Sequence, residues 1–283
     1  MDSWRTAIVD AGPDHIRVKG FDVLELMQRS SFTDLIFLLH HHRLPSADER
    51  HLVDAILIGV ADHGSGAPSC AAARLAASGN RASLSAAVAA GLLTIGDEHG
   101  GAGSGCMELI ETGLARVTTG GMSLAAAAAA LVAEATASGS RLPGFGHRVH
   151  STIDPRVAVL FGLAEQAGLA KDGVRFARAL EDAIRDRIKP IPLNIDGALA
   201  AVLVDLGFPP PVGRLLFIIG RVAGLCAEVL EEHTREKPMR ITIPVTYDGA
   251  TARAVGADPE NEVGSRFTKM EKRLPTSFSP EEQ

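Results

Sequence analysis

The stretch Pro143-Gly144-Phe145-Gly146-His147-Arg148-Val149-His150-Ser151-Thr152-Ile153-Asp154-Pro155-Arg156 decides how this chain is read. Two prolines and two glycines keep it out of a helix or strand interior, so it reads as a loop. Within ten residues it gathers His147, Arg148 and Arg156. Guanidinium forks grip carboxylates through two parallel hydrogen bonds, so such a loop suits a small polycarboxylate. The plain alternative is a solvated basic loop.

Outward from that loop, apolar residues recur at helical spacing on both sides. Helices are expected over 21–29, 32–40, 46–60, 69–78, 84–95, 106–118 and 123–138 before it. Helices over 155–168, 174–189, 195–206 and 212–233 are expected after it. Ser31 is placed to cap one helix, and Ser46 starts another. Strand evidence is minor: 7–9 and 16–18 flank a Gly12-Pro13 turn. Aromatic residues are only 4% of the chain, with one Trp and one Tyr, which disfavours a β-sandwich or barrel. The expected fold class is mainly α, with a helical subdomain inserted between His99 and Asn194. About 35 residues at the C-terminus turn polar and charged, and read as either disordered or wrapped on a partner.

At 283 residues the chain is long enough for roughly two domains and a sizeable core. Its 28 basic and 34 acidic residues give a formal net charge of −6. That balance lacks the basic footprint of a nucleic-acid binder. Neither a leader nor a membrane span of about 18 apolar residues is legible, so a soluble, cytoplasmic protein is expected. Cys70, Cys106 and Cys226 lie far apart with no CxxC, so neither a zinc ribbon nor a disulfide framework is expected.

Three histidines lie at helix boundaries beside glycines: His63, His99 and His147. Glycine lets a substrate approach closely, and histidine exchanges protons near neutral pH. A satisfied structural histidine is the bland reading for each. Arg221 interrupts an apolar helix, where a cation is costly unless paired, so it is expected to meet an Asp, a Glu or an anionic ligand. Asp196 follows Leu193-Asn194-Ile195 and opens an apolar helix. It reads either as a first-turn carboxylate favoured by the helix dipole or as a base. The consecutive His40, His41 and His42 point in different directions on a helix, so they read as a helix-end surface tract, not a metal site. The glycines of 100–105 match neither the dinucleotide fingerprint nor the phosphate-binding loop. Cys70 and Cys106 read as inert core.

Taken together and in order, these segments resemble the citrate synthase superfamily. The resemblance covers about residues 16–249. It rests on Ile16-Arg17-Val18-Lys19-Gly20-Phe21-Asp22, Ala61-Asp62-His63, His99-Gly100-Gly101-Ala102, the 143–156 loop, Asn194-Ile195-Asp196 and Gly220-Arg221-Val222-Ala223-Gly224. Two departures point to a short branch, that of citryl-CoA lyase and the C-terminal module of ATP-citrate lyase. A single helix joins Leu44-Pro45 to Asp62-His63, where synthases insert a long helical stretch. Ile243 stands before Pro244, where synthases usually carry an arginine that reaches the neighbouring subunit. Arg240 lies nearby as a conceivable substitute. Gly91-Leu92-Leu93-Thr94-Ile95-Gly96-Asp97 and Leu193-Asn194-Ile195-Asp196-Gly197 also resemble that branch.

The resemblance implies a citrate-synthase-like fold with a large helical domain (1–115 and 195–283) and a small one (116–194). It implies a homodimer or higher homo-oligomer that binds neither nucleic acid nor membrane. The implied activity is citryl-CoA lyase, cleaving citryl-CoA to acetyl-CoA and oxaloacetate through a thioester enolate. The alternatives are a citrate or methylcitrate synthase, a lyase for another branched 3-hydroxyacyl-CoA, or an inactive CoA-binding scaffold. Carried over residue by residue, His99, His147 and Asp196 are catalytic. His63, Arg148, Arg156 and Arg221 hold substrate carboxylates, and Pro143, Gly144, Phe145 and Gly146 lie against CoA. A helix starting near Gly103 would keep His99 neutral through its dipole. No metal and no permanently bound cofactor are implied; coenzyme A enters as part of the substrate.

Overall fold

Capping residues and proline place most helix starts. The computed structural model describes residues 3–146 and 154–252. An N-terminal antiparallel sheet comprises β1 (Val9–Gly12), β2 (His15–Val18) and β3 (Phe21–Asp22), in that order. Gly12 pairs with His15, so the turn centres on Pro13-Asp14, one residue beyond the expected position. The third strand, unexpected from the sequence, pairs Val18 with Phe21.

Helices α1 (Val23–Arg29), α2 (Phe32–His41) and α3 (Ala47–Ala61) follow. Ser31 with Asp34, and Ser46 with Glu49, form reciprocal capping boxes that satisfy otherwise orphaned amides at the starts of α2 and α3. Next come α4 (Pro68–Gly79), α5 (Leu84–Leu92), α6 (Ala102–Thr118) and α7 (Leu124–Ser138). Helix α6 begins four residues before the expected start. Gly103 lies inside it because a Cβ there would sit 3.0 Å from Leu199 Cδ1, and the glycine admits the neighbouring helix. After the 143–156 loop come α8 (Pro155–Gln166), α9 (Asp172–Arg187), α10 (Ile195–Asp205) and α11 (Pro211–Arg235). Described residues of the 195–206 and 212–233 stretches are thus helical as expected. The mainly α class holds.

Helix α10 is the axle of the core. Ile195, Gly197, Ala198, Leu199, Ala200, Ala201, Val202 and Leu203 are all buried, as in a helix that is apolar all round. It packs against α3, α6, α8, α9 and α11. Its two acidic residues sit at its ends. Asp205 accepts the amides of Lys171, Gly173 and Val174 and thereby caps α9. Asp196 lies in the first turn. Helix α4 uses small residues, Cys70, Ala73 and Ala77, to approach α5 and α11 closely.

The His40–His42 tract is less of a surface feature than expected. His41 stacks on Phe37 at 4.4 Å and meets Phe208 edge-on, because its ring completes an apolar contact at the end of α2. Burial, then Arg43, lowers its pKa. His40 Nδ1 lies 2.8 Å from the Ile36 carbonyl, and His42 is the left-handed cap, so the three rings diverge. Residues up to Ile241 form one compact unit, and the chain from Thr242 forms another. In the first unit, Arg240 is not free: it pairs with Glu232 and Glu236. In the second, Ile243 is exposed. No described helix is long and apolar enough to cross a membrane. The polar C-terminal stretch beyond residue 252 lies outside the described residues, as do His147 and Arg148.

Candidate active site

The site is built where the ends of five helices meet the middle of a sixth. Helix α11 carries Arg221 in mid-helix, fully buried. It reaches its place because α11 lies directly on α3. A Cβ at Gly224 would stand 2.1 Å from the Ala61 carbonyl oxygen, and one at Gly220 would stand 2.8 Å from that of Leu57. The bare backbone lets Arg221 Nε donate to the Val60 carbonyl at 2.9 Å. Its NH1 donates to Ser69 Oγ at 3.0 Å, and its NH2 contacts His63 Nδ1. The guanidinium also lies 4.9 Å from the centroid of the Phe217 ring. Among the described residues no carboxylate closes an ion pair on it. Burial lowers its pKa, opposed by Cys70, whose Sγ lies 4.0 Å from NH1, and by the more distant Asp62 and Asp196. A buried cation held only by neutral partners is a site for an anion.

Ser69, in the first turn of α4, links this arginine to His99. The Ser69 hydroxyl lies 2.9 Å from His99 Nε2, and the Ser69 amide donates to the same nitrogen at 3.3 Å. An amide can only donate, so Nε2 carries the lone pair. The ring is therefore the neutral tautomer with its proton on Nδ1. His99 sits in the turn that closes through Gly96, just before α6, with Phe217 edge-on to its ring.

On the other side His63 meets a second arginine, its Nε2 contacting Arg156 NH1. Arg156 lies in the first turn of α8 and also donates to the Gly59 carbonyl at 3.1 Å. Both guanidiniums thus sit at the C-terminal carbonyls of α3, where the helix dipole favours positive charge. Arg156 forks onto Asp154, with Nε 2.9 Å from Oδ1 and NH2 2.7 Å from Oδ2. Asp154 is buried, caps α8, and accepts the Ile195 amide at 3.0 Å. Burial pushes its pKa up, but the Arg156 bonds and the two amides more than offset this and hold it below the usual range.

Asp196 follows Ile195. Its residue is half-buried, yet Oδ1 is buried with no hydrogen-bond partner among the described residues. Burial raises its pKa to about 6 against the pull of Arg156 and Arg221, with Asp154 adding to the rise. Nearby, the Cys106 thiol is pushed up to about 12 by burial and by Asp196, so it stays protonated.

The loop of Pro143, Gly144, Phe145 and Gly146 is strapped to the same helix start. Phe145 bridges antiparallel to Leu193. The Asn194 amide donates to the Gly144 carbonyl at 3.0 Å, and the Gly146 amide to that of Pro192 at 2.8 Å. The Asn194 side chain donates to the Gly146 carbonyl at 2.7 Å. Gly144 is required twice over. Its φ is +85°, and a Cβ would fall 2.7 Å from Cys106 Sγ and from Gly197 Cα. The amide and carbonyl of Phe145 remain outside the bridge's hydrogen bonds, facing away from the pairing.

One chain of contacts therefore runs His99, Ser69, Arg221, His63, Arg156, Asp154 and the Ile195 amide, ending beside Asp196; a neutral His63 accepts from one of its two arginines and only touches the other. It gathers four of the residues singled out in the sequence and adjoins a fifth. Ser69 was missed because it reads as one small residue in a helix of small residues. Asp154 was visible only as part of a basic loop. Among the described residues, Asp62, Cys70 and Glu228 bring ligand-type atoms within 4.8 Å of one another. Arg74 already neutralises Glu228 at 2.5 Å, and burial pushes the Cys70 thiol up, so that trio does not present a ready metal site.

A histidine, two arginines and a buried carboxyl are thus brought together among the ends of helices, the kind of set able to hold an anion and exchange a proton. The citrate synthase C-terminal domain family matches residues 47–242, so the chain belongs to the citrate synthase family. The putative citrate synthase 2 of Mycobacterium tuberculosis is 30% identical over 199 residues, covering 68% of this chain and 51% of that protein. The chain spans about half the length of the curated relatives it matches. The structure is similar to citryl-CoA lyase from Hydrogenobacter thermophilus, with 35% identity and a TM-score of 0.81. That match covers 89% of this chain and 97% of the other. It also resembles the citrate synthase of Thermoplasma acidophilum, solved with carboxymethyl coenzyme A and oxaloacetate, with 26% identity and a TM-score of 0.65 over 81% of this chain and 60% of that one.

Proposed function

We propose that this protein is a citryl-CoA lyase, cleaving citryl-CoA to acetyl-CoA and oxaloacetate. The observation that carries the reading is the chain of polar contacts from His99 to Asp154. It sets a neutral donor, two anion-binding guanidiniums and the near-neutral Asp196 around one place. The similarity to a citryl-CoA lyase over nearly the whole of both chains supports the lyase direction. So does the single helix α3 between Pro45 and Asp62.

In cleavage, a base takes the proton of the tertiary hydroxyl. The electrons of the O–H bond form the ketone of oxaloacetate, and those of the breaking C–C bond pass into the thioester as an enolate. His147 is assigned as that base by the family resemblance, with Arg148 beside it. His99 donates its Nδ1 proton to the enolate oxygen, where charge develops in a dry site and a fixed donor is worth most. Asp196 delivers a proton to the carbon. A carboxyl with a pKa of about 6 both gives and accepts a proton near neutral pH, which suits each direction of the reaction. His63, Arg156 and Arg221 hold the carboxylates of oxaloacetate. The Phe145 backbone offers one donor and one acceptor to the CoA arm, with Pro143, Gly144 and Gly146 fixing its position. Coenzyme A is substrate, and the chemistry asks for no metal. We further assign 116–194 to a small domain that closes over 1–115 and 195–283, in a homodimer.

A synthase is the second reading, favoured by the names of the sequence relatives. Citryl-CoA coupled through malate dehydrogenase to NADH separates the two, with a thiol reagent reporting free CoA from acetyl-CoA plus oxaloacetate. Rapid NADH loss with little CoA release is expected. Sustained CoA release from acetyl-CoA and oxaloacetate overturns the lyase reading in favour of the synthase.

A further inference from the structure

Two carboxylates compete for Arg156, and only one has it. Asp154 receives both Nε and NH2 of the guanidinium, at 2.9 and 2.7 Å. It also receives the Arg156 amide at 3.1 Å and the Ile195 amide at 3.0 Å. Asp196 is one residue beyond Ile195, feels the Arg156 charge, and keeps a buried Oδ1 without a partner. A buried carboxylate beside a guanidinium ordinarily pairs with it. The arrangement is fixed by spacing: Pro155 opens α8, so Asp154 at the cap and Arg156 one residue inside lie side by side.

We propose that Asp154 is a positioning residue that occupies Arg156 and so keeps its guanidinium off Asp196, leaving the Asp196 carboxyl unpaired for proton transfer. The proposal rests on the assignment of proton transfer to Asp196. Among the described residues, the titratable and charged groups around Asp196 are these. Helix α8 and its cap bring Arg156 and Asp154, α11 brings Arg221, and α6 brings Cys106. His63, just past α3, acts through Arg156, and Glu181 on α9 is held by the Leu193 amide at 2.8 Å. With Asp154 discharged, the guanidinium is released toward Asp196, whose buried Oδ1 lacks a donor among the described residues.

The test reads the Asp196 carboxyl directly, by infrared difference spectroscopy of substrate-free protein, its band identified by its loss in Asp196→Asn. Asp154→Asn and Asp154→Ser both remove the charge, and serine retains a capping oxygen that protects folding. In each, the Asp196 titration is expected to move down by about one pH unit or more, as for a carboxylate gaining an arginine. Adding Arg156→Gln to Asp154→Asn is expected to bring it back up. Loss of the Asp154 charge by itself also lowers the titration, so the arginine is read from the difference between backgrounds: a shift on Asp154→Asn that is the same with Arg156→Gln in place, or no shift at all, overturns the proposal. The spectrum needs no turnover. A parent protein inactive on citryl-CoA therefore counts against the proposed function and leaves the titration result to stand or fall separately.

Discussion

Asp196 is held at a cost to the fold. Its folded pKa of about 6 lies above the ordinary carboxylate value, so the folded chain binds the proton more tightly than the unfolded one. Its contribution to stability is full below about pH 4 and is lost as pH rises through about 6. Asp196→Asn is therefore expected to abolish turnover and yet stabilise the protein at pH 8 by on the order of 2 kcal/mol. The gain should vanish near pH 4, and melting curves at the two pH values check this. A destabilised variant at pH 8 contradicts the account. Ser69 is the second residue to probe. Ser69→Ala leaves the buried Arg221 one partner short and removes the hydroxyl from His99 Nε2, the Ser69 amide remaining. A loss of about 2 kcal/mol in stability is expected, the usual cost of an unmet bond to a buried charge. A fall of roughly tenfold or more in kcat should accompany it. Unchanged kcat would show that His99 is held by something else.

At the scale of elements, the crossing of α11 on α3 sets the position of Arg221. Gly224→Ala removes a helix-interior glycine, worth up to about 1 kcal/mol in favour of the alanine. The new Cβ, however, would stand 2.1 Å from a backbone oxygen that cannot swing aside. The clash is expected to win, with a net loss of about 2 kcal/mol and a rise in KM as Arg221 leaves the Val60 carbonyl. Gly162, inside α8, has nothing within 4 Å of a Cβ. Gly162→Ala is expected to raise stability by roughly 0.5 kcal/mol. Chemical denaturation of both variants checks the pair, and the same sign for both contradicts the close-approach argument.

Across the whole molecule, residues whose chemistry clashes with their local surroundings were legible in the sequence. Arg221 stands out because it breaks an apolar helix, and His63 and His99 because each precedes a glycine at a helix boundary. Asp196 stood out because it opened an apolar helix. Helix positions were legible because Ser31, Ser46, Ser123 and Asn194 cap them, and because Pro68, Pro155 and Pro211 sit at their first turns. What escaped depends on distant neighbours. Ser69 has no local mark of function, since its partners lie 30 and 152 residues away. Gly103 lies before the helix read over 106–118, and its fit against Leu199 is visible only in three dimensions. Strand β3 is two residues long and exists only because β2 offers it an edge.

The central claim is that carbon–carbon cleavage ends with a proton delivered to an enolate carbon by Asp196. Citryl-CoA mixed with the protein in deuterium oxide tests it most directly, with mass spectrometry of every product after a single turnover. The account predicts oxaloacetate and acetyl-CoA carrying one deuterium on its methyl group, with no such product from Asp196→Asn. Citrate and free CoA, with no labelled acetyl-CoA, would mean thioester hydrolysis in place of cleavage and would contradict it.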